Sequence, residues 1–203
     1  MASHSLAEKW RIHLSRIFAL IFFIFILFTS SKWEGISFVS SVFFLVGCAL
    51  VGIASLGRLW CSLYIAGYKN ETLVTLGPYS ISRNPLYFFS MIGGVGVGLT
   101  TETLLIPFGI LILFLLYYPM VIKDEEKRLF NLHGDKFNAY CKKTPAFIPK
   151  SSLLEEPGTY VVNPKIFKKN IFGALWFVWL VGILEVLEEL HEANILPTYF
   201  TIF

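Results

Sequence analysis

The sequence predicts an all-α integral membrane protein of about five transmembrane helices, and three observations carry that expectation. The 203 residues are 55% hydrophobic and only 15% charged, too apolar for an ordinary soluble domain. Several uncharged runs approach the roughly 20 residues needed to cross hydrocarbon. In addition, 16 of the 17 lysines and arginines fall in alternate segments, the bias that the positive-inside rule expects of a threaded chain. The net charge of +3 comes without a basic arm or an aromatic–basic repeat, so nucleic acid is not an expected partner. Cys48, Cys61 and Cys141 are odd in number and lack metal-type spacing. They read as free thiols, and no metal site is expected.

Met1 to Arg16 is polar and basic, and the uncharged run Ile17 to Phe28 follows it. This is the outline of a signal peptide, but the TSSKWEG that comes next has no small-x-small cleavage pattern. A first span over Leu14 to Ser31 is expected instead. The second span, Ile36 to Leu56, carries Gly47, Ala49, Gly52 and Ala54, which permit close helix approach in lipid. Arg58 and Trp60 mark its end at the membrane interface.

The stretch from Leu73 to Leu99 begins as a polar loop with turns at Gly77-Pro78 and Asn84-Pro85, where proline disfavours helix in the preceding residue. Tyr79, Arg83, Asn84 and Tyr87 therefore stand at the mouth of a membrane helix. Polar groups fixed where the backbone breaks at a bilayer surface line a cavity. Leu86 to Ile122 then reads as a helical hairpin interrupted only by Thr100 to Thr103. Its short arm is Leu86 to Leu99, and its long arm, Leu104 to Ile122, has Pro107 in the first turn.

Lys123 to Asn170 is polar and rich in lysine. Ile171 to Leu187 is the last apolar run, a fifth span or a partly interfacial helix. Glu185 within it belongs near the outer interface, since a carboxylate at mid-membrane costs about 2.5–3.5 kcal/mol. The chain is one membrane domain over 1–203, with a core over 58–149 and a C-terminal linker and last apolar helix over 150–203. Charge places 1–16, 57–85 and 123–170 on the cytosolic side, so the N-terminus and the candidate site are expected in the cytoplasm. There the loop before the hairpin meets Ile122 to Pro149, whose Asp124, Glu125 and Glu126 leave the membrane on a helix. Backbone amides and tyrosines facing a carboxylate suit a ligand bearing hydroxyls or positive charge.

The pair LVTLGPYSISRNPLY and EEKRLFNLHGDKFNAYCKKTPAFIP, in this order and separated by one hairpin, resembles the isoprenylcysteine carboxyl methyltransferase family. That family belongs to a superfamily of membrane methyltransferases that includes the phospholipid N-methyltransferases. The resemblance implies S-adenosylmethionine bound at the cytosolic face, with a membrane lipid or a lipidated molecule as methyl acceptor. The family's Arg-His-Pro-x-Tyr motif corresponds to Arg83-Asn84-Pro85-Leu86-Tyr87, and Tyr79 matches its upstream tyrosine. By the same resemblance Glu71, Thr72, Leu73, Val74, Tyr79, Asn84, Pro85, Leu86, Tyr87, Glu125 and Glu126 are the cofactor-binding candidates. Arg83 is the catalytic candidate, orienting an anionic acceptor or the cofactor carboxylate. Gly93-Gly94-Val95-Gly96 is similar to the glycine motif of the phospholipid methyltransferases. Two positions depart from the pattern. Asn84 replaces the motif histidine, and Val121 stands where the prenylcysteine enzymes carry an arginine one turn before the cofactor glutamate.

Other readings start from the same residues. Arg83 alone reads as a snorkelling interface residue, the glycines as packing contacts, and Glu126 as a solvated helix start. His133-Gly134, Tyr140-Cys141 and Ile148-Pro149 echo the end of the sterol reductases, which implies NADPH as an alternative cofactor. A membrane scaffold without chemistry is the third reading.

Overall fold

In lipid, apolar side chains gain nothing by turning inward, so helices associate where small residues let backbones approach. The computed structural model, which describes residues 24, 26–32, 37–68 and 72–202, is built in this way. Helix α1 (Ser37–Ile65) turns Gly47, Val51, Ala54 and Cys61 inward. Phe38, Leu45 and Leu56 stay largely exposed. A short α2 (Pro78–Ile81) precedes α3 (Pro85–Leu99), and α4 (Leu105–His133) completes the hairpin. α5 (Asp135–Lys143) follows, then α6 (Pro164–Ala174) and α7 (Trp176–Glu192). Phe38–Ile65, Leu105–His133 and Pro164–Glu192 are each long and apolar enough to cross a membrane, and Pro85–Leu99 is a shorter apolar helix. The all-α membrane class expected from sequence holds.

Helix α3 is the centre of the bundle, and its glycines face three different neighbours. A Cβ on Gly96 would lie 2.9 Å from the Gly47 carbonyl oxygen of α1, and one on Gly98 would lie 2.8 Å from Pro107 Cα of α4. A Cβ on Gly93 would meet the Phe177 ring of α7 at 2.7 Å. The close pairs Gly47–Gly96 and Gly57–Phe89 make α1 antiparallel to α3. Val51, Val97 and Leu184 form the buried apolar cluster where α1, α3 and α7 meet, with Phe177 and Leu180 packed on it.

The hairpin turn is as tight as expected. Thr100 and Thr103 are buried, the Thr100 and Thr101 hydroxyls donate to the Val97 and Gly98 carbonyls, and Glu102 adopts a φ of 55°. Three expectations need correcting. The second span does not end at Leu56: the helix continues through Arg58 and Trp60 to Ile65, and Gly67 follows at φ 98°. The long arm does not end at Ile122 either, but continues as helix through the charged residues to His133 and stops at Gly134, at φ 51°. The last helical segment extends beyond the apolar run Ile171–Leu187, from Pro164 to Glu192, and breaks once, at Leu175, between α6 and α7.

The first span, expected over Leu14 to Ser31, lies mostly outside the described residues. Its end is not helical. Thr29–Ser31 forms a strand, β1, which pairs in parallel with β2 (Phe200–Ile202), Ser30 opposite Thr201. The Phe28 and Tyr199 rings pack beside the pair at 5.5 Å, and the Ser31 hydroxyl donates to the Glu102 carbonyl at 2.7 Å. Nearby, a cavity of about 460 Å³ is lined by Glu102, Glu185, Glu188, Glu189 and Glu192. This acidic end is remote from the loop that carries the sequence motifs.

The charge bias predicts that the motif end faces the cytosol, an expectation that labelling tests. In a chain whose three cysteines are replaced, a cysteine at Thr101 is expected to react with a membrane-impermeant thiol reagent in intact cells. A cysteine at Lys142 is expected to react only after the membrane is opened. Labelling of both from one side would mean that α4 does not cross.

Candidate functional site

The loop between α1 and α3 is held in shape by the chain that follows α5. Gly77 has φ 60°, and a Cβ there would fall 2.3 Å from the Tyr64 ring, so the turn requires glycine. Its N–H donates to the Glu155 carbonyl at 2.8 Å. Further along, the Lys150 N–H donates to the Ile81 carbonyl and the Arg83 N–H to the Pro145 carbonyl, both at 2.9 Å. The fully buried Ser82 donates through its hydroxyl to the Phe147 carbonyl at 2.9 Å. The two motif segments of the sequence are thus directly hydrogen-bonded to one another.

Arg83 and Asn84 lie at this seam. Arg83 Nε donates to Glu126 Oε1 at 2.9 Å, and one of its terminal nitrogens donates to the Cys141 and Thr144 carbonyls at 3.1 and 2.8 Å. The Asn84 amide donates to the Ala146 carbonyl at 2.9 Å and, more weakly, to Glu126 Oε1 at 3.4 Å. Pro85 then starts α3 at a position where a missing N–H costs nothing. Consecutive residues of a helix point about 100° apart, so Glu125 and Glu126 of α4 serve different partners. Glu126 holds the seam. Glu125 accepts from the Tyr87 hydroxyl at 2.8 Å and pairs with Arg128 at 3.5 Å.

Between these elements lies a cavity of about 160 Å³. Of the residues expected at the cofactor site, Thr72, Leu73, Val74, Tyr79, Asn84, Leu86, Tyr87 and Glu125 line it, and so does Arg83. Pro85 and Glu126 stand behind its wall as supports. Glu71 lies outside the described residues. The sequence reading missed Ile65, Tyr68, Arg128, Leu129 and Tyr140, which complete the lining. Arg128 and Leu129 were within reach of pattern reasoning, being three and four residues beyond Glu125 on a continuing helix. Tyr140 donates to the Tyr79 carbonyl at 2.6 Å, a contact that only the fold creates.

Burial pushes the Tyr79 phenol well above its usual range, with Cys61 and Glu125 adding to the effect. Burial also raises Tyr140, partly offset by Arg83. Both phenols stay protonated and can donate at neutral pH. Below the cavity the wall is aromatic. Tyr87 meets Tyr118 edge-on at 5.1 Å, and Tyr118 stacks on Phe114 at 3.5 Å.

The Asn84 geometry gives an expected outcome. Asn84→Ala removes the hydrogen bonds of a buried amide to the Ala146 carbonyl and Glu126 and should lower stability by about 0.5–1.5 kcal/mol. Asn84→His restores one N–H donor and should recover most of that loss. Thermal unfolding of the detergent-solubilised protein checks both, and equal losses for the two variants would refute a donor role.

The fold and site define a helical membrane protein with a cavity between the loop before a hairpin and the end of the hairpin's long arm. The sequence profile described as phospholipid methyltransferase matches residues 40–136, from α1 to the start of α5. The chain belongs to this family. It is 38% identical over 193 residues to the cobalt-zinc-cadmium resistance protein CzcN of Cupriavidus metallidurans, covering 95% of this chain and 86% of the relative. It is 35% identical over 195 residues to the nickel-cobalt-cadmium resistance protein NccN of Alcaligenes xylosoxydans xylosoxydans, covering 96% and 91%. No solved structure matches the chain.

Proposed function

We propose that this protein transfers a methyl group from S-adenosylmethionine to a lipid or lipidated acceptor at the cavity between the 72–87 loop and α4. The observation that carries the reading is Glu125, held by the Tyr87 hydroxyl in a cavity it shares with Thr72, Leu73, Val74 and Tyr79. The donor set fits the cofactor. Glu125 offers a carboxylate for ribose hydroxyls or an ammonium group, and Arg128 offers a cation for a carboxylate. Leu73, Val74, Leu86 and Leu129 provide apolar wall for a flat base, and Tyr79 and Tyr140 provide phenols. When bound, S-adenosylmethionine supplies a methyl group on a sulfonium sulfur.

The chain's own task is to align, to hold and to exclude water. Tyr87 lines the cavity, and Tyr118 and Phe114 packed behind it help to exclude water from that side. Arg83 joins Glu126, Cys141 and Thr144, so we assign it to positioning the loop rather than to gripping an anionic acceptor. Calorimetric titration of the purified protein tests the reading. Saturable binding of S-adenosylmethionine and of its demethylated product is expected, with none of NADPH. Binding of NADPH alone would favour reductase chemistry, and binding of neither to folded protein would favour a scaffold.

The two relatives are named for resistance to divalent transition metals, and we extend that context to this chain as the physiological setting of the methyl transfer. A deletion strain challenged with cobalt, zinc or cadmium should be rescued by the wild-type gene and not by Glu125→Gln. Equal rescue would separate resistance from the site.

A further inference from the structure

Arg58 was expected as an anchor at the interface, yet α1 runs two further turns beyond it to Ile65. Its guanidinium is drawn into the bundle. One terminal nitrogen donates to the Ser90 hydroxyl of α3 and the other to the Gly173 carbonyl of α6 at 3.1 Å. The group lies over the Phe177 ring of α7, 5.4 Å from its centroid. Its Nε is buried and has no hydrogen-bond partner. Among the described residues no carboxylate pairs with Arg58. A permanently charged, half-buried side chain at the edge of an apolar bundle, with its buried Nε unpartnered and no carboxylate beside it, marks a functional position in a membrane protein.

Its place relative to the cavity gives the function. Ser90 follows Tyr87 by about one turn, so Arg58 contacts α3 about 4.5 Å along the helix axis from the residue whose hydroxyl holds Glu125. Ile65, which lines the cavity, lies two turns beyond Arg58 on nearly the same face of α1. The α6–α7 break at Leu175 is beside Gly173 and Phe177, on the side of the site that faces the last span. α6 also carries Lys165, Lys168 and Lys169 and reaches Arg58 through Gly173, which keeps this edge positive. Meanwhile Val121, four residues before Glu125 and buried on α4, places an apolar side chain there.

We propose that Arg58 is the specificity-determining residue of this site: it receives an oxyanion, phosphate or carboxylate, of an amphiphilic acceptor whose tail lies along the α6–α7 break. The proposal rests on the methyl-transfer reading for the word acceptor, but the oxyanion site can be tested without it. The test uses protein in neutral maltoside micelles with Trp10 and Trp33 replaced by Phe, so that the fluorescence of Trp60, Trp176 and Trp179 is the reporter. The probes are bromine-tailed phosphatidic acid, bromine-tailed fatty acid and, as the uncharged reference, bromine-tailed diacylglycerol.

Quenching by at least one oxyanion probe should saturate at lower concentration than quenching by diacylglycerol, and whichever does so identifies phosphate or carboxylate. Arg58→Gln should raise that concentration about tenfold or more, the worth of a charge-assisted hydrogen bond, while Arg58→Lys should retain most of the preference. In the same variants, calorimetric affinity for S-adenosylmethionine should be unchanged, which also establishes that they fold. If the wild-type protein does not bind the cofactor, the methyl-transfer reading fails while the quenching data still decide the oxyanion site. If the wild type shows no preference over diacylglycerol, or Arg58→Gln keeps the preference intact, Arg58 is a staple between helices and the proposal is overturned.

Discussion

Glu125→Gln is expected to weaken S-adenosylmethionine binding about tenfold. A hydrogen bond to a charged group is worth about 1.5–3 kcal/mol, roughly twice a neutral one. The Glu125 side chain is 31% exposed, and solvent screening favours the lower end of that range. The neutral amide keeps the shape and can still accept from Tyr87, so unfolding should not obscure the result. Tyr87→Phe should have a smaller effect on affinity, because it frees the carboxylate without removing it. The double variant should show coupling, since the two groups touch at 2.8 Å. Glu126→Gln gives the contrast. It loosens Arg83 from the seam and should lower the melting temperature more than the affinity. A dissociation constant unchanged in Glu125→Gln would remove this carboxylate from the site.

Gly96→Val is expected to destabilise the bundle by about 3 kcal/mol or more, the upper end for overpacking a tight contact. The added Cβ would stand 2.9 Å from the Gly47 carbonyl oxygen and 3.0 Å from the Val51 nitrogen. Both are backbone atoms of α1, so no rotamer change can make room. Gly52 is the internal control, because a Cβ there meets nothing within 4 Å. Gly52→Ala should be neutral, or stabilising by up to about 1 kcal/mol through helix propensity. Thermal unfolding followed by circular dichroism in detergent separates the two, and equal midpoints would show that the α1–α3 contact is not tight.

Local chemistry made much of this legible. X-Pro turns, uncharged runs and charge bias are properties of neighbouring residues, and they located the loop, the hairpin and the end carrying the polar cavity. The glycines of α3 were harder, since a run of glycines has the same spelling whether it cradles a ligand or packs. The structure puts Gly93, Gly96 and Gly98 each against a different helix. Arg58 was misplaced because an arginine after an apolar run is normally where a helix meets headgroups. Only tertiary contacts with Ser90 and Gly173 reveal that it turns inward. Tyr140 and the seam carbonyls were invisible for the same reason, their partners lying about 60 residues away in the chain. Strands of three residues carry too little pattern to be read at all.

That smallest element sets a parity rule for the chain between its two strands. β1 and β2 pair across nearly the full described sequence, Thr29 with Phe200 and Ser31 with Ile202. Two segments can share backbone hydrogen bonds only in one compartment, so the chain between them must traverse the bilayer an even number of times. With α1, α4 and the α6–α7 unit long and apolar enough to cross, and the shorter α3 returning the chain between α1 and α4, the count is four if all of them cross. The last apolar helix therefore cannot rest at the interface while the others cross, because an odd count would leave the two strands on opposite sides of the membrane.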